Sequence, residues 1–261
     1  MRERRLSVSL WICLAACAGM GFAPYESHML TARVKRTALI ASVKPGQDAA
    51  LDAALGGLSD GKTARALRRA DITNLSCYKR KLGDKTWVMV YFDYAGDDYL
   101  KAATDFESAL TSVDALKMHV DPHPRAGRYG TTWLQMEWIC YIRGARSEAE
   151  TKTSYAMVTT IKPEKESEYR LLHQTVWPGV CDQMARGNNR HFSIFLVEIG
   201  ETLYEFFYVE YVGSSQKKDA EMDRSDPVNL RWWKQTDPCQ VALPGEDGIW
   251  SMMRKVESTG K

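Results

Sequence analysis

The sequence predicts an α+β fold made of two ferredoxin-like repeats with the element order β-α-β-β-α-β, packed as a dimeric α+β barrel within one chain. Two stretches of internal similarity carry this prediction. The run "RTALIASVKPG" at residues 36–46 aligns with "SYAMVTTIKPE" at residues 154–164, an offset of 118. The longer run "LSCYKRKLGDKTWVMVYFDY" at residues 75–94 aligns with "FSIFLVEIGETLYEFFYVEY" at residues 192–211, an offset of 117. Two copies of one module explain both offsets.

A third observation extends the repeat towards the end of each copy. Trp133 and Met136 correspond to Trp250 and Met253, again at an offset of 117. The register therefore changes by a single residue over about a hundred positions, as expected of a tandem duplication.

The second copy begins with a predicted strand followed by a broken helix. Residues 155–161 are apolar and β-prone, which favours a strand. Residues 165–185 have helical periodicity, and Pro178 predicts an interruption just before it.

The remaining elements of the second copy complete the unit. Residues 192–198 and 202–211 predict a hairpin that turns at Gly200. A polar helix is predicted over residues 220–234, and residues 249–256 predict a closing strand. An antiparallel sheet with helices on one face leaves its other face bare, so two copies can pack those faces together.

Three segments define the predicted domain organisation. The first repeat covers residues 36–143 and the second covers residues 154–257. Residues 144–153 are charged and lack apolar periodicity, which indicates a linker. The chain is thus predicted to be a pseudo-dimer.

The N-terminus has the layout of an export signal, predicted over residues 1–23. Three arginines within the first five residues precede an apolar run over residues 6–18, which is too short for a stable membrane anchor. Residues 14–17 resemble a bacterial lipobox, in which Cys17 is lipidated, while residues 21–23 offer ordinary cleavage as the alternative. The prediction is an exported protein, periplasmic or lipid-anchored at the cell envelope.

Charge and cysteine content argue against a nucleic-acid-binding protein and against a cysteine metal site. With 35 basic and 33 acidic residues the net charge is only +2, so nucleic acid is not an expected partner. Cys77, Cys140, Cys181 and Cys239 form no C-x-x-C unit, which argues against a metal knot. Free buried thiols are expected, with a disulfide between Cys181 and Cys239 as the alternative in an oxidising compartment.

Two motifs in the second copy concern function. Residues 169–178 read Tyr-x-x-x-His-x-x-x-Trp-Pro, and residues 231–234 read Arg-Trp-Trp-Lys. The four-residue spacing alone favours the buried stripe of a helix. Taken together and in this order, the two motifs make residues 154–256 resemble the L-rhamnose mutarotases.

The resemblance implies a fold, an activity and a set of site residues. Members of that family are homodimeric α+β barrels that interconvert the anomers of a monosaccharide without a metal or organic cofactor. By resemblance, His173 is the proton donor, while Tyr169, Trp232 and Trp233 line the sugar site. The family's tyrosine at the start of the second strand is replaced by Phe192, which keeps the ring and loses the hydroxyl.

The expected reaction suits these side chains and predicts an isomerase. Anomer exchange needs a proton delivered to the ring oxygen and one removed from the anomeric hydroxyl, and a histidine can do either near neutral pH. Indoles stack on the C–H faces of a pyranose.

The first copy lacks this chemistry. Leu51, Leu55 and Leu75 stand where the second copy has Tyr169, His173 and Phe192. The first copy is therefore predicted to be catalytically silent and to replace the second subunit of the family's dimer.

Other interpretations remain open from sequence. Phe192 and the altered loop at residues 243–247 favour a non-catalytic carbohydrate-binding envelope protein on the same scaffold. A haem-binding or monooxygenase-type barrel with His173 as an axial ligand is a third reading. His119 and His123 in "MHVDPHP" are predicted to lie in a loop rather than to bind a metal.

Overall fold

The computed structural model describes residues 29, 32–59, 61–110, 116–145, 150–151 and 153–256. The predicted export signal, with Cys17, lies outside the described residues, and so does part of the predicted linker. Both repeats belong to one compact unit, Val34–Lys261. Within the described part of the chain, no helix is long and apolar enough to cross a membrane.

The first repeat contains six strands and three helices among its described residues. The strands are β1 (Lys35–Val43), β2 (Ile72–Leu82), β3 (Lys85–Tyr94), β4 (Val120–Asp121), β5 (Leu134–Gln135) and β6 (Glu137–Gly144), and the helices are α1 (Asp48–Gly56), α2 (Gly61–Arg69) and α3 (Ala102–Ala109).

The second repeat has the same order of strands with four helices. The strands are β7 (Thr153–Ile161), β8 (Asn189–Ile199), β9 (Thr202–Tyr211), β10 (Gln240–Val241), β11 (Ser251–Met252) and β12 (Arg254–Val256), and the helices are α4 (Glu166–Gln174), α5 (Pro178–Arg186), α6 (Gln216–Ser225) and α7 (Pro227–Thr236). The predicted α+β class is confirmed.

The helix predicted over residues 220–234 is in fact two helices, because Asp226 and Pro227 interrupt it. The Asp226 side chain accepts hydrogen bonds from the backbone N–H groups of Val228 and Asn229 and so caps α7. Pro227 occupies the first position of α7, where its missing N–H is no loss.

The strands form two antiparallel six-stranded sheets that exchange their last strands. One sheet has the order β12-β2-β3-β1-β4 with β5 also on β1, and the other has the order β10-β7-β9-β8-β6 with β11 also on β7. Strand β6 of the first repeat thus completes the second sheet, and β12 of the second repeat completes the first. Each repeat contributes one strand to the other's sheet.

This exchange explains why the predicted strand at residues 249–256 is broken. It pairs with β7 as far as Met252, then crosses at Met253 to pair with β2. The Met253 N–H donates to the Ala156 carbonyl at 2.9 Å, and the equivalent Met136 N–H donates to Ala38 at 2.8 Å. Both repeats therefore make the same crossing.

The duplication extends to unusual backbone conformations. Asp71 and Asn74 have φ values of 59° and 53°, and Asn188 and His191 have 56° and 55°. The two pairs are 117 residues apart, and a β-bulge lies beside each in β2 and in β8. Positive φ is uncommon outside glycine, so its recurrence shows that both copies keep one backbone design.

The helices of the first repeat pack on their sheet over a continuous hydrophobic core. Leu51 and Leu55 from α1 are buried there against Val88 and Val90 of β3. The corresponding layer of the second repeat is not filled in this way, and a cavity lies there.

Candidate functional site

A cavity of about 490 Å³ lies between the helices of the second repeat and its sheet. Strand β6 gives this site a wall from the first repeat, because Ile142 lines the cavity and pairs in register with Phe192 of β8. All five site residues predicted from the sequence line this one cavity: Tyr169, His173, Phe192, Trp232 and Trp233.

His173 lies near the end of α4 and is buried, with 8% of its surface exposed. Its Nδ1 donates to the backbone carbonyl of Tyr169, one helical turn earlier, at 3.0 Å. This bond selects the neutral tautomer with an unprotonated Nε2. Burial lowers the pKa of His173 to about 4, so the imidazole is neutral at physiological pH. It is therefore placed to accept a proton, whereas the resemblance implied a proton donor at this position.

One tryptophan of α7 packs against this imidazole, and the next one lines the same cavity. Trp232 is buried and meets the His173 ring edge to face, with centroids 5.3 Å apart. Trp177, which precedes α5, also packs edge to face against Trp232, with centroids 5.4 Å apart. Trp233 is half-buried, and it lines the same cavity although adjacent helical residues diverge.

Tyr169 is fully buried, and its hydroxyl does not contact the imidazole. Its ring lies 4.2 Å from that of His173 between centroids. Its hydroxyl donates to the carboxylate of Glu205 on β9, and the side-chain amide of Gln240 donates to the other carboxylate oxygen at 2.8 Å. Tyr169, Glu205 and Gln240 form a buried group, called here the polar trio.

Glu205 and Gln240 did not emerge from the sequence. Glu205 has no exposed surface, and burial raises its pKa to about 8. Aligning the two repeats would have identified both residues, because each polar residue stands opposite a valine. Glu205 corresponds to Val88 at an offset of 117. Gln240 corresponds to Val120, because Gln240 begins the short strand beside β7 and Val120 begins the short strand beside β1.

The floor of the cavity is aromatic. Phe192 packs on Phe207 with centroids 5.1 Å apart, and Phe207 packs on Trp250 at 4.7 Å. Phe192 has no hydroxyl, so this floor is an aromatic surface to which Phe192 adds no hydrogen-bonding group.

A second polar group lies at the α6 end of the cavity. Asp223 accepts a hydrogen bond from the side-chain amide of Gln183 at 2.5 Å, and its backbone carbonyl accepts one from Asn229 at 3.2 Å. Burial raises the pKa of Asp223. Asp223 and Asn229 both line the cavity, and sequence reasoning had not identified either of them.

His119 and His123 do not share a site. His119 bonds to the Gln47 side chain at 2.8 Å, whereas His123 bonds to the Glu198 carbonyl at 2.8 Å, so the two rings have separate partners. Among the described residues, no group of three or more His, Cys, Asp or Glu side chains is arranged to hold a metal ion.

All four cysteines expected to be thiols are free: Cys77, Cys140, Cys181 and Cys239.

Comparisons with known proteins match the second repeat of the chain. The family model described as L-rhamnose mutarotase matches residues 154–257. The L-rhamnose mutarotase of Tolumonas auensis is 31% identical over 78 residues, which cover 30% of this chain and 70% of that protein. The L-rhamnose mutarotase of Pectobacterium atrosepticum is 29% identical over 94 residues, which cover 36% of this chain and 86% of that protein.

A third relative is also an L-rhamnose mutarotase. The L-rhamnose mutarotase of Oceanobacillus iheyensis is 26% identical over 81 residues, which cover 31% of this chain and 73% of that protein. Among solved structures, an anthrone oxidase-like protein aligns over 89% of this chain and 96% of that chain with 9% identity and a TM-score of 0.41, a likeness too remote to bear on function.

Proposed function

Because the chain belongs to the L-rhamnose mutarotase family, we propose that it is an isomerase that interconverts the anomers of an aldose, L-rhamnose or a related sugar, in the cavity of its second repeat. One observation carries the proposal. The His173 imidazole has its Nδ1 bonded to the backbone, and it lines one cavity with both Trp232 and Trp233.

The reaction assigns a separate task to each of these groups. His173 Nε2 takes the proton of the anomeric hydroxyl, and it returns that proton when the ring closes on the other face. The indoles stack on the C–H faces of the sugar and hold it against the imidazole. A positioned acid or base of this kind contributes typically about 10² to 10⁴-fold to the rate.

The first repeat is proposed to stand in for the second subunit of a homodimer. It supplies strand β6 to the second sheet and the Ile142 wall to the cavity, while leucine and valine fill its own helix layer. The proposal therefore predicts one active site per chain.

NMR saturation transfer between anomers tests the activity directly. L-rhamnose, L-fucose and other aldoses would be screened with wild-type protein and with His173→Ala. The expected result is faster exchange for at least one sugar with wild type, and a fall of about 10² to 10⁴-fold in the variant. Equal rates of anomer exchange with wild type and with His173→Ala for every sugar of the panel would contradict the proposal.

A non-catalytic carbohydrate-binding protein is the second candidate, favoured by the aromatic wall at Phe192 and by the Tyr169 hydroxyl that is bonded to Glu205. Sugar-dependent quenching of tryptophan fluorescence, without any anomer exchange, is the outcome that this candidate predicts.

Export and lipidation at Cys17 are proposed from the sequence of residues 1–23. Metabolic labelling with a palmitate analogue in a bacterial host, with Cys17→Ser as the control, tests lipidation. Label on the wild type alone is expected. Unlabelled, processed protein in the periplasm would indicate ordinary cleavage instead.

A further inference from the structure

We propose that Glu205 stores a proton for the reaction and passes it to the sugar through the hydroxyl of Tyr169. This inference rests on the proposed mutarotase function and adds the proton donor that complements His173. Glu205 lies in the middle of β9, on the face covered by α4, and has no exposed surface.

The surroundings of Glu205 favour its neutral form. The groups that face it are the Tyr169 hydroxyl from α4, the Cys140 thiol from β6, the Cys239 thiol from the turn before β10, and the Gln240 amide. None of these four groups carries a positive charge. A carboxyl group buried without a cation keeps its proton, in line with its raised pKa.

When Glu205 is protonated, the direction of its hydrogen bond with Tyr169 reverses. The carboxyl O–H then donates to the phenol oxygen, and the phenol hydrogen is released for another acceptor. Tyr169 lines the cavity, so a sugar oxygen bound there can be that acceptor. Gln240 holds the second carboxyl oxygen at 2.8 Å and fixes the orientation of the group.

The first repeat shows that the fold does not require this trio. Leu51, Val88 and Val120 occupy the three equivalent positions, and all three are buried in the hydrophobic core. Burying a carboxyl group costs free energy that an aliphatic side chain does not. Because only the repeat with His173 carries the acid, the polar trio serves the site rather than the scaffold.

The proton transfers balance over the reaction. On ring opening the C1–O5 bond breaks, O5 takes the phenol proton of Tyr169, and Tyr169 takes the carboxyl proton of Glu205. His173 Nε2 takes the proton of the anomeric hydroxyl as the C1=O1 double bond forms. Ring closure on the other face reverses each transfer, which returns the proton to Glu205 and leaves no net charge.

The pH profile of exchange in Glu205→Gln tests the role of Glu205. Glutamine keeps the shape and the hydrogen bonds but does not titrate. Wild type should lose rate as the pH rises through about 8, where Glu205 ionises. Glu205→Gln should be slower by about 10²-fold and should lack that alkaline limb. Glu198→Gln, which changes an exposed carboxylate, is the matched control and should behave as wild type.

Two further measurements separate this role from a structural one. Tyr169→Phe should fall by a similar factor, and combining it with Glu205→Gln should cause little further loss, since both act in one transfer. NMR of ¹³C-labelled glutamate side chains should find Glu205 protonated at pH 6 in the folded protein.

The outcomes distinguish this inference from the proposed function. Exchange in wild type with an unchanged rate and pH profile in Glu205→Gln would overturn the role of Glu205 alone, and so would an ionised Glu205 carboxyl at pH 6. No exchange by wild type with any aldose would overturn the proposed function itself.

Discussion

Tyr91 and Tyr208 stack on one another with ring centroids 3.5 Å apart and an interplanar angle of 12°. They are equivalent residues of the two repeats, 117 positions apart, and they meet where the two sheets face each other. Tyr78 and Phe195, also 117 apart, flank the pair: Tyr78 meets Tyr208 and Phe195 meets Tyr91, each edge to face at 6.2 Å. The repeats therefore pack about an internal twofold relation.

Truncation of the stacked pair should destabilise the whole barrel. Tyr91→Ala and Tyr208→Ala each remove a fully buried ring, and we expect each to lower the free energy of unfolding by about 3 to 5 kcal/mol. A double-mutant cycle should give a coupling of about 0.5 to 1.5 kcal/mol for the stack itself. Urea unfolding measures both. Tyr129→Ala, at a residue that is 66% exposed, is the control and should change stability little.

Strand exchange predicts that the two halves associate without a covalent link. Residues 34–145 and 150–261, expressed as separate chains, should copurify as a one-to-one complex, because each sheet needs one strand from the other half. The complex should regain any exchange activity of the intact chain, since β6 forms part of the cavity. A second half that ends at residue 250 lacks β11 and β12 and should bind the first half more weakly. Independent folding of both halves as monomers would contradict the exchange.

The sequence predicted the repeated module well, because periodicity, turn residues and the two alignments all depend on local signals. It also identified the aromatic and histidine residues that line the cavity. It did not reveal strand exchange, since nothing in a short strand such as Arg254–Val256 states which sheet it joins. Glu205 was missed for a related reason. In "TLYEFFYVEY" both faces of the strand are buried, so alternation could not show that its carboxyl lies beneath α4.

Removal of one member of the polar trio should cost more than removal of all three. Glu205→Val leaves the Tyr169 hydroxyl and the Gln240 amide buried without the side chain that both hydrogen-bond to, which costs about 1 to 3 kcal/mol of stability. The triple variant Tyr169→Phe, Glu205→Val, Gln240→Val removes every polar atom of the group and should be at least as stable as Glu205→Val. Urea midpoints compare the two, and a triple variant less stable than the single one would contradict this account.

The buried imidazole should make stability depend on acid pH. The pKa of His173 is about 4 in the folded state and about 6.5 when unfolded, so the unfolded chain binds an extra proton between these values. Stability therefore falls as the pH drops from 6.5 towards 4, by about 3 kcal/mol from this group. His173→Leu introduces the residue type that the first repeat has at the equivalent position, Leu55. This variant should not show the part of the stability loss that comes from His173. The free energy of unfolding would be measured at pH 7 and at pH 4 for wild type and for His173→Leu. The difference between their losses of stability gives the contribution of His173, because the other groups titrate alike in both proteins.

Under the proposed function, Phe192 limits how strongly the aromatic floor of the cavity binds a sugar. Its ring packs on Phe207 and its backbone pairs with that of Ile142, and a phenol at the same position would add one hydrogen-bonding group to the cavity. Phe192→Tyr should therefore tighten L-rhamnose binding by about five- to tenfold, the equivalent of one hydrogen bond of roughly 1 kcal/mol. Titration calorimetry measures the affinity. The matched control is Phe192→Leu, which replaces the ring with the residue type found at Leu75 in the first repeat.

The outcomes also identify the preferred sugar. If Phe192→Tyr leaves L-rhamnose binding unchanged but strengthens the binding of another aldose, the preferred sugar differs from L-rhamnose in the hydroxyl nearest residue 192. An equal affinity of all three proteins for every aldose would instead show that the sugar does not contact residue 192.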